Sequence, residues 1–492
     1  MRVGALDLTI LLAYLAATVA FGVWIGGRQR SASDYLLGGR DLPWWALLIS
    51  IVATETSTAT FLSVPGVAYG GGLPGTTGDL RYLQLPLGYI VGRTVATFVL
   101  LPLYFRGELF TAYEVLRQRS GPSVRTLASG LFLVTRTLAD GLRLYLTALV
   151  VVIMTGTSLP VAVAVVGVGT LVYTVFGGMR AVVWTDVVQF VVYMLGAVLA
   201  FGLLLADLPQ GLSGLLADAR AAGRLQVFDL GFDLASPFTF WAGLVGGAVL
   251  SIGTHGVDQL LVQRYLAARR QRDAARALLL SGPVVLVQFA FFLLLGLGLS
   301  AFYAAHPPAV AFTRSDAVFA DFIVHHLPTG IVGIVLGAVF SAAMSTLSSS
   351  LNASASALVN DFVLPLTGRG GDDAYALRAA KIATVMFGVL QMAVGVSGLG
   401  GGNAVVNSVL AIASFTTGAI LGLFALALLP GRNQGAALLG LACGLTASSL
   451  IVFLGPSLGV KLGWPWFALV SSTSTFVPGA LIFLLASKPR HA

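Results

Sequence analysis

Apolar stretches recur along nearly the whole chain, separated by short polar interruptions. A helix needs roughly 20 apolar residues to cross a bilayer core. Windows of that kind start near Leu6, Leu42, Arg81, Val124, Ser158, Trp184, Pro237, Asp273, Thr329, Ala376, Ala404, Gln434 and Gly463. The pattern predicts an all-α polytopic membrane protein of 13 transmembrane helices, with ends placed to about four residues. The run from Leu6 to Gly26 ends at Gly-Gly-Arg-Gln-Arg with no small-x-small cleavage pattern, which predicts a retained first helix. Two polar connections, Ala206 to Ser236 and His306 to Leu327, are long enough to hold short helices or lids.

Composition agrees with a single membrane domain over 1–492: 57% of residues are hydrophobic and only 10% charged. The net charge of +8 comes from arginines dispersed between apolar segments, which argues for topology signals and against nucleic acid. With the amino terminus outside, the inward loops collect the positive residues between 28 and 40, 106 and 125, 264 and 276, and 369 and 381, with Arg180, Arg432, Lys488 and Arg490. Outward segments hold only Arg2, Arg81, Arg220, Arg224, Arg314 and Lys461. The asymmetry predicts a multi-pass protein of the cell inner membrane, amino terminus out and carboxyl terminus cytoplasmic. One cysteine, Cys443, excludes an internal disulfide framework and any multi-cysteine metal site.

Within the second window, Ala53-Thr54-Glu55-Thr56-Ser57-Thr58-Ala59-Thr60 precedes Phe61-Leu62-Ser63-Val64-Pro65-Gly66. A carboxylate at this depth costs a few kcal/mol in lipid, so Glu55 is expected to face a cavity or a partner. Clustered hydroxylated residues weaken the helix and Pro65 removes a backbone donor. Local unwinding would expose carbonyl oxygens, the hard ligands a small cation needs. The bland alternative is a kinked helix with Glu55 paired to an arginine. In the ninth window, Ser341 to Asn352 carries serines and Thr346 at i,i+3 and i,i+4 steps, a hydroxyl stripe fit for helix packing or for a cation.

Together with Tyr173-Thr174-Val175-Phe176-Gly177-Gly178-Met179-Arg180-Ala181-Val182-Val183-Trp184-Thr185-Asp186-Val187-Val188-Gln189, these segments resemble the sodium:solute symporter family, and the likeness runs through essentially the whole chain. The resemblance implies inverted five-helix repeats with two interrupted helices: 1–40 as a peripheral first helix and inner loop, 41–205 and 237–430 as the repeats, 431–492 as two peripheral helices. It implies a sodium ion on the carbonyls of Ala53, Thr56 and Ala342 and the hydroxyls of Ser345 and Thr346. A second sodium would use Asp186, Ser348 and Ser349; the alternative makes Asp186 a helix cap at the inner membrane edge.

The second expected break is Ser251-Ile252-Gly253-Thr254-His255-Gly256-Val257-Asp258-Gln259. Candidate solute-binding residues are Glu55, Ser57, Thr60, Arg81, Gln84, Tyr89, Ser251, Thr254 and His255; Asp258 and Gln259 are expected at an inner gate. Each has a structural alternative, such as Arg81 reaching the outer surface or His255 satisfied within the protein. Arg136, Asp140 and Arg143 stand at i,i+4 and i,i+3 and are expected to neutralise one another, the alternative being an arginine on a substrate carboxylate. The leading function is sodium-coupled import of a small organic solute by alternating access, in contact with lipid and without nucleic acid. The rivals are a proton-coupled carrier using Glu55 and His255, and a membrane sensory module, for which the chain leaves no room after Lys488. No enzyme motif is present, and nothing fixes the solute or the oligomeric state.

Overall fold

A computed structural model describes residues 4–107, 109–308, 310–397 and 405–486; Arg2, Lys488 and Arg490 lie outside them. Helix stands at every one of the predicted windows: α1 (Ala5–Gly26), the pair α2 (Trp44–Glu55) and α3 (Thr58–Tyr69), α4 (Gln84–Val95), α5 (Pro122–Thr155) and α6 (Leu159–Ala206). The outer connection holds α7 (Gly211–Ala221), as expected. There follow α8 (Gly247–Gly256), α9 (Gln259–Leu266), α10 (Gln271–Ala305), α11 (Ser315–His326), α12 (Ile331–Leu358), α13 (Asp373–Val396), α14 (Val405–Ala427), α15 (Gln434–Ser449) and α16 (Trp466–Ala486). Among the described residues 7 helices are long and apolar enough to cross a membrane unaided, and the bent pair α2–α3 makes up to 8. The remaining windows hold helices that are shorter, interrupted or joined.

The joined case is α6, which covers the windows at Ser158 and Trp184 in 48 residues. A straight helix of that length would run about 72 Å, more than twice the roughly 30 Å hydrocarbon core. Gly178, at φ 60° and ψ −158°, breaks it. A Cβ there would lie 2.6 Å from the Tyr35 carbonyl oxygen, so the glycine is needed both for its backbone angle and for close approach. Its neighbour Gly177 lets α1 come within contact of α6 at Gly26. The glycine pair is therefore a fold-forming hinge: it turns α6 and delivers Asp186, two helical turns later, to the interior, where that residue is 0% exposed.

Both expected interruptions are present. Across α2 and α3 the chain bends by 59°, and Thr56 leaves helical geometry at ψ 83°. Between α8 and α9, Val257 and Asp258 leave the helical path, and the Asp258 side chain accepts the Leu260 N–H at 2.9 Å to start α9. Pro65 lies inside α3 without being the break, which falls among the threonines instead. On the face expected outside, α11 lies over α3, with Phe61 stacked on Phe319 at 5.4 Å between ring centres. Arg224 fastens the same side, donating to the carbonyls of Gly78, Ala68 and Tyr69 and to Ser300 Oγ.

Replacing Gly178 by valine is expected to cost about 1–3 kcal/mol, read as a lowered midpoint of thermal unfolding in detergent. The same change at Gly202, which has open space around it, should leave the midpoint nearly unmoved.

Candidate functional site

The break after α2 frees backbone oxygen. In a continuous helix Ser57 N–H would close on the Ala53 carbonyl; here it goes to the Glu55 carbonyl at 3.1 Å. The Thr54 carbonyl is taken by the Thr346 hydroxyl of α12 at 3.0 Å, and that hydroxyl also reaches the Ala342 carbonyl at 3.3 Å. The hydroxyl stripe of α12 thus faces the unwound end of α2. Ala53, Thr56, Ala342, Ser345 and Thr346 are all 0% exposed. The Thr56 hydroxyl itself donates to Gln288 Oε1 at 2.9 Å, which leaves its carbonyl as the group open to a cation. A dehydrated monovalent cation needs several hard oxygens at one place, and this junction gathers carbonyls and hydroxyls from α2 and α12.

One layer away stands Asp186. Its Oδ1 accepts from Ser345 at 2.6 Å, and its Oδ2 accepts from Ser50 at 2.5 Å and from Arg264 at 3.2 Å. The helix-cap alternative for Asp186 does not hold: the residue lies inside α6 and far from either end. Arg264 was expected among the inward-facing topology charges, and here the correction is large. It is 1% exposed and donates to Ser50 at 2.9 Å, to Thr54 and to Ser349 as well as to Asp186. Its place on α9, five residues past the second break, was the available signal: a charge that close to an interruption lies inside the bundle. Ser348 instead donates to the Ser345 carbonyl of its own helix at 3.1 Å. Ser349 and Asp186 thus already share a cation, the guanidinium.

Glu55 is ion-paired with Arg93 of α4, which is 0% exposed and also donates to Ser281 Oγ at 2.7 Å. The paired alternative for Glu55 is the one found. His255 brings Nε2 to 3.7 Å from Glu55 Oε2 and its Nδ1 to 3.0 Å from the Thr254 hydroxyl, so the two interrupted elements meet at a carboxylate and an imidazole. Thr60 Oγ1 lies 3.5 Å from the Glu55 carbonyl, Ser57 is buried beside it, and Ser251 donates to the Tyr89 carbonyl at 3.1 Å. Arg81 and Gln84 are not brought to this group. Arg81 pairs with Asp79 at 2.8 Å and Asp229 at 3.1 Å, and Gln84 holds the Phe238 carbonyl and the Asp229 N–H. Both fasten the connection around Asp229 and Phe238, which was expected outside, and Arg81 thus takes its surface alternative.

On α5, Arg143 is bonded to Asp140 as its spacing predicts. Arg136, 3.7 Å from Asp140, has a nearer partner on another helix, Asp258 at 2.7 Å. Gln259 holds the Ala112 N–H and the Phe110 carbonyl, and Gln263 the Leu36 carbonyl and Asn352. The short helix α9 is therefore fixed along its length to the surrounding segments.

Two broken helices meeting at buried oxygens are the arrangement ion-coupled carriers use, and behind them the single carboxylate of Asp186 is paired with Arg264. The family model described as the sodium:solute symporter family matches residues 35–444. The chain belongs to that family. It is 32% identical to the human sodium/iodide cotransporter, an alignment covering 92% of this chain and 70% of that one. It is 26% identical to the sodium/sialic acid symporter of Proteus mirabilis (strain HI4320), covering 97% and 95%. Its structure is similar to that of a substrate-bound, outward-open sodium-coupled sialic acid symporter, with a TM-score of 0.88 over 98% of both chains. This symporter couples sodium to a small solute across a membrane, and sodium replaces the proton of the rival reading.

Removing one partner of a buried ion pair costs about 3–5 kcal/mol, because the other charge is left alone. Glu55→Gln is therefore expected to lower the thermal unfolding midpoint strongly. The double variant Glu55→Gln with Arg93→Met should recover most of that loss, and a double-mutant cycle on the purified protein measures it.

Proposed function

We propose that this symporter imports a small organic solute into the cell by alternating access, driven by sodium, from a cell inner membrane in which its amino terminus lies outside. The observation that carries the reading is the junction of α2 and α12, where the Ala53 carbonyl has lost its helical donor beside the Ser345 and Thr346 hydroxyls. The coupling ion binds there, on the carbonyls of Ala53, Thr56 and Ala342 and the two hydroxyls. Solute binds between the two breaks, against Ser57, Thr60, Thr254 and His255, with Glu55 and Arg93 forming a neutralised wall. Ser251 and Tyr89, joined by a hydrogen bond, set the position of α8 against α4. Arg81 and Gln84 act on the outer loop.

Sodium on this junction ties α2 to α12, and solute contacts both breaks. Each therefore raises the affinity of the other, as reciprocal coupling requires. A second sodium at Asp186, Ser348 and Ser349 binds when Arg264 withdraws, since one carboxylate cannot hold two cations at full strength. Opening of the inner side moves α9 and with it Arg264, so ion exchange at Asp186 follows the gate.

Three measurements test this. Uptake into proteoliposomes at fixed pH should rise with an inward sodium gradient and vanish in potassium. Ser345→Ala with Thr346→Ala should raise the half-saturating sodium concentration at least tenfold, about 1.4 kcal/mol, while an unchanged value would remove the ion from this junction. Isotope fluxes should give two sodium ions per solute in the parent and one in Asp186→Asn. A parent ratio of one would leave Arg264 as the only cation at Asp186.

A further inference from the structure

Beside the second break lies a small, partly open cavity lined by Tyr113, Arg136, Arg143, Asp258, Thr416 and Thr417, among others. It is polar and incompletely satisfied. Arg136 Nε, Arg143 Nε and the Tyr113 hydroxyl are buried there without a hydrogen-bond partner among the described residues. Orphaned buried donors are costly; beside the likewise unpartnered Asp140 Oδ2, three donors at one cavity describe a place for an acceptor. In the present arrangement only about 20 Å³ is open to the centre of a water molecule, room for roughly one water. What fills the rest of the arginine's reach is Asp258, whose Oδ2 lies 2.7 Å from Arg136 Nη2.

Asp258 has two duties. Its Oδ1 caps α9 through the Leu260 N–H at 2.9 Å, while its Oδ2 holds Arg136 of α5. The pair thereby latches the start of the inner half-helix to α5. Charge around the cavity is balanced only while the latch is closed: Arg136 and Arg143 face Asp140 and Asp258. Were Asp258 withdrawn, two guanidinium groups would share Asp140 alone, leaving one uncompensated positive charge in the bundle interior. A buried charge of that kind is strongly unfavourable unless an anion replaces the one removed. One turn beyond Arg143 on α5, Thr147 donates to Thr58 at the start of α3 at 2.9 Å, and His255 of the proposed solute site stands three residues before Asp258.

We infer that the transported solute carries a negative charge and that its anionic group displaces Asp258 from Arg136, so that binding of the correct solute unlatches α9 and opens the inner gate. This rests on the symport reading and adds to it the substrate class and the residue that senses it. Exchanging one carboxylate for another keeps the Arg136 guanidinium neutralised, and Asp258 retains its bond to the Leu260 N–H as it leaves with α9. A neutral solute has nothing with which to compete for the guanidinium. Arg136 rather than Arg143 is the sensor, since Arg143 bonds only within its own helix, to Asp140.

The test uses the full-length protein in proteoliposomes with a sodium gradient, offering a series of short monocarboxylates and iodide against a neutral hexose and a zwitterionic amino acid. Anions, and not the neutral or zwitterionic solutes, are expected to be taken up. Arg136→Lys keeps the charge beside Asp140 and Asp258 but loses the planar fork. It should raise the half-saturating anion concentration at least tenfold while leaving the thermal shift caused by sodium alone unchanged, a split that a merely structural role would not produce. Asp258→Asn retains a capping side chain and removes the competitor, and should lower the same concentration several-fold. Sodium-driven uptake confined to the hexose or the zwitterion would overturn the inference and leave the symport reading standing, as would anion uptake indifferent to both variants. Uptake of every solute at equal rates with and without sodium would remove the symport reading and the inference with it.

Discussion

Hydrocarbon offers no hydrogen bonds, so each polar group carried into the bundle must find its partner within the chain. The organisation of this symporter follows from that constraint. Glu55 is tolerable at the end of α2 because Arg93 is placed against it, and Asp186 inside α6 because the hydroxyls of Ser50, Thr54 and Ser345 and the Arg264 guanidinium close around it. The same rule decides where the backbone can stop being helical. The interruption at Thr56 and Ser57 is buried against α12, whose serines and Thr346 supply or receive the hydrogen bonds a lipid-facing segment would lose.

Partner sharing turns these local solutions into a connected machine. Ser345 lies on the hydroxyl face of α12 that meets the unwound end of α2, and it also donates to Asp186. Asp186 in turn holds Arg264 on α9, and the first residue to cap α9, Asp258, is held by Arg136 on α5. The junction of α2 and α12, the Asp186–Arg264 pair and the short helix α9 are therefore linked by single hydrogen-bonding steps rather than by a long path. Networks of this type have few alternative arrangements that satisfy every member, which favours discrete states over gradual deformation.

Glycine supplies the complementary freedom. The turn at Gly178 exists because only a residue without Cβ adopts that angle with Tyr35 so close. Without it α6 would overrun the bilayer, and Asp186 would not return to the interior. The glycine pair within the segment that carries the family resemblance is thus explained by chain geometry.

Much was settled by the order of residues alone. Hydropathy fixed an all-helical membrane fold, because the length of an apolar run is dictated by bilayer thickness. Threonine and serine clustering located the first interruption, because those side chains compete with their own backbone; the second was expected only from the family resemblance, at a segment rich in glycine and polar groups. The charged groups were a different matter. That Glu55 meets Arg93, that Arg136 prefers Asp258 to Asp140, and that Arg264 belongs to Asp186 rather than to a cytoplasmic loop are pairings across 38, 122 and 78 residues of chain. Spacing along one helix predicts only partners three or four residues away. A buried charge takes whichever opposite charge the packing of other helices brings nearest, and only the tertiary structure decides which that is.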